Sequence, residues 1–221
     1  RRIALSSTAE VHVARPVEGG ERVAIKRLLP HALEDPDLRA RFDREIEAAM
    51  TQTHPGLVRG LEVIDGQPGE PCLVMAYVEG PTLADLMAGD RGPAPEDALT
   101  HAAFALASTL EPLHGRRGGA RVHGDVSARN IVALDCGGFT LLDLGSTTGE
   151  GERATDAGTP RYVCPERPRG DHVTTRGDIY SVGVLLWELA MGRRWPADTP
   201  PATTSIDTPL GRLIGRCLSA D

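Results

Sequence analysis

The 221-residue chain has 24 basic and 31 acidic side chains, a net charge of −7, and 40% apolar residues, the balance of a soluble globular protein. Acids and bases interleave with no basic stripe, which argues against a nucleic-acid partner. No apolar run reaches the ~18 residues of a membrane span, so no membrane contact is expected from this segment.

Its length suffices for a sizeable core in one domain or two small lobes. The chain does not open on Met, which suits a piece of a longer protein. Cys72, Cys136, Cys164 and Cys217 are scattered and form no C-x-x-C pair; free thiols in a reducing, cytoplasmic compartment are the expectation.

In chain order, Ala9–Arg15 alternates like a strand. Residues 19–28, opening on Gly19-Gly20, read as its hairpin partner. Asp35-Pro36 suits a helix start. Over residues 35–52, Leu38, Phe42, Ile46 and Ala49 then fall on one helical face. Residues 56–64 and 71–78 are two more apolar strands. Beyond them, residues 96–115 form an amphipathic Ala-rich helix, Ile131–Leu134 and Phe139–Leu142 two short strands, and residues 178–192 an apolar helix. A Pro/Thr-rich loop follows, then a last short helix over 210–218. The expected fold is α+β, a small β-rich lobe over 1–78 and a mostly helical lobe over 79–221, hinged near Ala76–Gly80.

Lys26 is the only lysine; the other 23 basic residues counted above are all arginine. An ammonium is a compact point charge, whereas a guanidinium is a wide planar fork. A strand lysine that Glu45, on the helix 19 residues later, could aim at a phosphate explains why this position is not arginine; an ordinary salt bridge is the alternative. Phosphate chemistry has other supports. Asp125 and Asn130 stand five apart in a loop leading into a strand, and Asp143 ends the next strand before Gly145. One acid to orient a hydroxyl, plus Asn and Asp to hold magnesium, is what phosphoryl transfer requires.

These motifs together resemble the protein kinases over nearly the whole chain. "VAIK" (23–26), Glu45, "HGDVSARN" (123–130), "DLG" (143–145), "GTPRYVCPE" (158–166) and "GDIYSVGVLLWELAMG" (177–192) stand in the family's order. The resemblance implies ATP and Mg²⁺ as cofactors and a bilobal fold. It implies that Lys26, held by Glu45, contacts the α- and β-phosphates, that Asp125 accepts the substrate hydroxyl, and that Asn130 and Asp143 bind Mg²⁺. Met75 would back the adenine pocket, the Tyr77 and Val78 backbone would meet the adenine edge, and Ala9 and Ala24 would complete the cofactor site. Arg129, four residues after Asp125, sits where some tyrosine kinases place an arginine that stabilises the transferring phosphate. Asp178 would brace the catalytic-loop backbone, and Thr159 would bond Asp125 as in Ser/Thr kinases.

The chain also departs from the family. The three loop glycines fall on Ala4, Ser6 and Ala9, so nucleotide should be covered less tightly. Gly124 replaces the arginine that reads an activation-segment phosphate, which leaves Ser146, Thr147, Thr148 and Thr155 as poor switch sites. Ser127 replaces a lysine. His123 is expected to be a hydrogen-bonded core residue. The end of the domain, with the arginine that pairs with Glu166, looks absent. Three functions stay open: a Ser/Thr protein kinase, slow for its family; a pseudokinase that binds nucleotide or a regulatory protein; and a small-molecule phosphotransferase of the same fold. Partners would be ATP and a protein substrate or regulator.

Overall fold

The computed structural model describes residues 1–88, 92–115, 119–144, 148–152, 159–165, 172–196 and 208–219. Five antiparallel strands open the chain: β1 (Arg2–Leu5), β2 (Ala9–Ala14), β3 (Val23–Leu28), β4 (Gly60–Asp65) and β5 (Pro71–Ala76). They form one sheet in the order β1-β2-β3-β5-β4. A short helix, α1 (Pro30–Leu33), leads into α2 (Pro36–Thr51). The Asp35 side chain accepts from the amides of Asp37 and Leu38 and starts α2, with Pro36 in the first turn. This helix buries Phe42, Glu45, Ala48 and Ala49. Glu45 is the exception on that apolar face.

Helices then dominate: α3 (Leu83–Ala88), α4 (Glu96–His114), α5 (Thr175–Met191) and α6 (Pro209–Leu218). Between α4 and α5 lie two small hairpin-like pairs, β6 (Arg121–Val122) with β9 (Thr148–Gly149), and β7 (Ile131–Ala133) with β8 (Phe139–Leu141). Helix α5 is buried on almost every side, from Val182 and Val184 through Leu185, Leu186 and Trp187. A helix that is apolar all round belongs at the centre of a core. Trp187 meets Trp195 edge-on at 4.8 Å. Gly183 lets α6 approach, since a Cβ there would sit 2.7 Å from that of Cys217.

The sequence reading misses β1, taken as part of a loop. All four of its residues are exposed, so no alternation marks it. The strand read from residue 56 begins at Gly60; Leu57 and Val58 are buried in the preceding loop, where Leu57 bridges Leu141 instead. Tyr77 and Val78 lie beyond the end of β5, and α5 starts at Thr175, where the Thr174 side chain caps the amide of Gly177. The segment between the two parts is short, and Gly80 ends it at φ +146°, with room for a Cβ denied by the Ala133 carbonyl at 2.1 Å. No disulfide joins the four cysteines. Among the described residues, no helix is long and apolar enough to cross a membrane. Gly145, Ser146, Thr147, Thr155, Glu166 and most of the Pro/Thr loop lie outside the described residues.

Candidate active site

Strand β3 pairs with β5 on one side and β2 on the other, with Lys26 opposite Leu73 and Val11. From there its ammonium reaches Glu45 Oε1 on α2 at 2.6 Å and Asp143 Oδ1, just past β8, at 2.8 Å. Three elements far apart in sequence thus meet at one nitrogen. Burial alone would depress the lysine, but the two carboxylates outweigh it and hold the ammonium above its ordinary range. Burial pushes the Glu45 carboxyl up to about 7, against the pull of Lys26 and helped by the nearby Asp143 charge. Asp143 is among the described residues the one non-glycine at positive φ, +57°. Asp tolerates this region better than most residues, and such conformations cluster at functional sites.

The catalytic-loop segment 123–130 is held from beneath. The buried Asp178 carboxylate on α5 accepts the amides of His123 at 2.7 Å and Gly124 at 2.8 Å, and bonds His114 Nε2 at 2.9 Å. Gly124 has φ +79°, a conformation that costs a side-chain-bearing residue about 1–2 kcal/mol. Glycine here relieves strain as it removes the arginine. His123 is fully buried; its Nδ1 accepts the Asp125 amide, so Nε2–H donates to the Leu142 carbonyl at 3.3 Å. It is a core residue with both ring nitrogens used, as the sequence suggests.

Asp125 is oriented from two sides. Its Oδ1 accepts both the amide and the hydroxyl of Thr159, at 2.7 and 2.8 Å. Its Oδ2 accepts from Asn130 Nδ2 at 2.8 Å, and the same nitrogen reaches the Asp125 carbonyl. Asn130 therefore turns its amide oxygen elsewhere, and that oxygen has no donor among the described residues. The Leu142 amide bonds the Asn130 carbonyl at 2.6 Å, which ties Asn130 to the residue before Asp143. An amide oxygen and a carboxylate make an all-oxygen donor set, suited to a hard cation such as Mg²⁺ that keeps waters and phosphate oxygens as its other ligands. Among the described residues no cluster of three His, Cys, Asp or Glu could hold a metal by itself.

Ala9 and Ala24 are buried on neighbouring strands, and Met75 is buried opposite Ala24. Past the last ladder pair, Val23 with Ala76, the backbone of Tyr77 and Val78 makes no hydrogen bond among the described residues. That open edge is available to a planar heterocycle. The Tyr77 ring itself lies under Arg22, at 4.7 Å, and Arg22 pairs with Glu79. Arg129 is exposed and joins no ion pair among the described residues, whereas Ser127 is fully buried with no partner for its hydroxyl.

A protein kinase domain family matches residues 6–208. The chain belongs to the protein kinase family. It is 34% identical over 206 residues to a probable serine/threonine-protein kinase of Streptomyces coelicolor, covering 88% of this chain. It is 31% identical over 193 residues to the serine/threonine-protein kinase PknB of Mycobacterium leprae and 30% over 194 to that of Mycobacterium tuberculosis, each covering 83% of the chain. The chain spans about a third of the length of these relatives, 30% of each.

Two features of this kinase domain escape the sequence reading. His114 bonds Asp178 from the last turn of α4, where only a basic residue at a helix end hinted at a role. Glu188, fully buried on α5, accepts the Tyr162 hydroxyl at 2.5 Å and the Trp195 amide at 2.8 Å, with Arg194 at 3.6 Å. Burial and this neighbour push the Tyr162 phenol well above its usual value. A glutamate inside an apolar run gave no sign of such partners. Together with the Ser181 hydroxyl, which donates to the Tyr162 carbonyl at 2.8 Å, it locks the segment carrying Thr159 onto the core.

Proposed function

We propose that this chain is the catalytic domain of an ATP- and Mg²⁺-dependent kinase that phosphorylates Ser/Thr hydroxyls of a protein substrate in the cytoplasm, slowly for its family. The observation that carries this reading is the meeting of Lys26, Glu45 and Asp143 while Asp125 is independently fixed by Thr159 and Asn130. A module with no use for nucleotide has little reason to keep a half-buried ammonium between two carboxylates, because replacing such an ion pair as a whole by apolar groups is often neutral or stabilising.

In this reading the residues divide the work of phosphoryl transfer, which is largely positioning and charge neutralisation. Lys26, aimed by Glu45, draws the α- and β-phosphates of ATP. Tyr77 and Val78 offer backbone to the adenine edge, with Met75, Ala9 and Ala24 enclosing it. Asn130 and Asp143 would hold Mg²⁺, which when bound neutralises phosphate charge. Asp125 accepts the hydrogen bond of the substrate hydroxyl; as that oxygen bonds to the γ-phosphorus and the bond to the ADP oxygen breaks, the proton passes to Asp125. Arg129, exposed beside the loop, adds positive charge near the transferred group. Thr159 on Asp125 supports a Ser/Thr acceptor, and the segment that carries it argues against a small-molecule phosphotransferase.

The pseudokinase reading draws on the glycine-free β1–β2 turn. Two measurements separate the readings. Saturating ATP and Mg²⁺ at ~100 times the dissociation constant should add about 2.7 kcal/mol to stability, read as a shift in melting temperature. Radiolabel from γ-labelled ATP should then pass to a generic protein substrate and vanish with Asp125→Ala. Binding without Asp125-dependent transfer identifies a pseudokinase; no shift at millimolar ATP defeats the kinase and the nucleotide-binding pseudokinase alike, and leaves a module that acts by binding a protein.

A further inference from the structure

The turn between β1 and β2 consists of Ser6, Ser7 and Thr8, and it is closed on itself. The Ser6 hydroxyl oxygen accepts the amide of Ala9 at 3.0 Å and the amide of Thr8 at 3.3 Å. Its own proton goes to the Ala9 carbonyl at 3.1 Å, which also accepts the Ser6 amide at 2.8 Å. A hydroxyl has one proton and two lone pairs, so every bonding position on this oxygen is taken. Two further bonds pin the tip down: the Leu29 amide to the Thr8 carbonyl and His31 Nε2 to the Ser7 carbonyl, both at 2.8 Å.

Successive backbone amides at a turn form a concavity that accepts an anion. The tip has three such amides, those of Ser7, Thr8 and Ala9. Two of them already point at an oxygen belonging to the chain itself. Only the Ser7 amide has no partner among the described residues. We infer that the Ser6 hydroxyl acts as an internal competitor for phosphate, seated on the amides that a nucleotide's phosphate oxygens would otherwise use. The inference rests on the nucleotide-binding reading above and adds a residue that sets affinity for the phosphate tail but not for the base. Ser6 is exposed and needs one χ1 rotation to leave, so the contact weakens nucleotide binding without forbidding it.

Replacing the hydroxyl without adding backbone freedom isolates the effect. With the 221-residue chain in Mg²⁺ buffer, isothermal titration should show ATP binding Ser6→Ala about tenfold more tightly than the parent, from amides freed for a charged acceptor. Adenosine, which has no phosphate, should bind both equally. Ser6→Gly should tighten ATP at least as much, because glycine also permits closer backbone approach. Should the parent bind ATP and Ser6→Ala bind it no better, Ser6 is no competitor. Should adenosine tighten in parallel with ATP, the substitution has reshaped the whole pocket and the inference is overturned. If neither ligand binds any of the three proteins, the nucleotide reading fails first, a different result from either of the others.

Discussion

The catalytic loop and the β1–β2 turn are both short, irregular and laced with side-chain-to-backbone bonds, yet they are held in opposite ways. The loop borrows its support: Asp178 from α5 takes its amides, Thr159 and Asn130 take its carboxylate, and His123 fills the core behind it. Its functional oxygens are thereby fixed in direction. The turn supplies its own support from Ser6 and spends the amides that could meet a ligand in doing so. Bracing from outside prepares a site, whereas bracing from within occupies one. A kinase domain with the first kind of loop and the second kind of turn should retain chemistry and lose affinity.

The comparison breaks most sharply at Asp125. Asp125→Ala should lower phosphotransfer by about 10²–10⁴-fold with the ATP-induced melting shift retained; equal loss of both would mean that the carboxylate supports structure and not the reaction. Next in size is the brace. Asp178→Ala removes the acceptor shared by the amides of His123 and Gly124 and by His114, and a buried donor such as the His123 amide costs about 1–3 kcal/mol when left unpaired. Chemical denaturation should show a loss of several kcal/mol, far above that of any change in the β1–β2 turn.

Smaller effects sharpen the contrast. Gly124→Ala, at φ +79°, should destabilise by about 1–2 kcal/mol, readable as a melting shift of a few degrees. The pH dependence of Glu45 is subtler. Its folded value, about 7, lies above the ordinary 4.5, so the folded protein binds this proton more tightly. The group's stabilising contribution is then full below 4.5 and lost as pH rises through 7. Glu45→Gln cannot titrate, so it should gain stability relative to the parent between pH 4.5 and 7 and hold level above. A difference that is flat across that window would show Glu45 to be ionised throughout.

Much of this is legible in the sequence: the lone Lys26, Glu45, Asp125, Asn130 and Asp143 stand out as residues suited to phosphate chemistry, and the resemblance to the protein kinases adds Asp178 and the roles of all six. The long amphipathic helices were equally plain, since Leu38, Phe42 and Ala49 obey a helical period. What was hidden depends on partners distant in the chain. β1 is a strand only because β2 pairs with it, and its exposed residues carry no pattern. His114 and Glu188 take their roles from α5 and from the segment around Tyr162. Ser6 could be read as a missing glycine, but which atoms its hydroxyl would meet required the folded turn.

The placement of Lys26 has a practical corollary. As the segment's sole lysine, it is the only side-chain amine an acylating reagent could find here, and it sits protonated between two carboxylates. Covalent labelling at that nitrogen would therefore be slow in the folded protein and fast once the structure opens, turning a common bioconjugation reaction into a single-residue gauge of whether β3, α2 and Asp143 stay together.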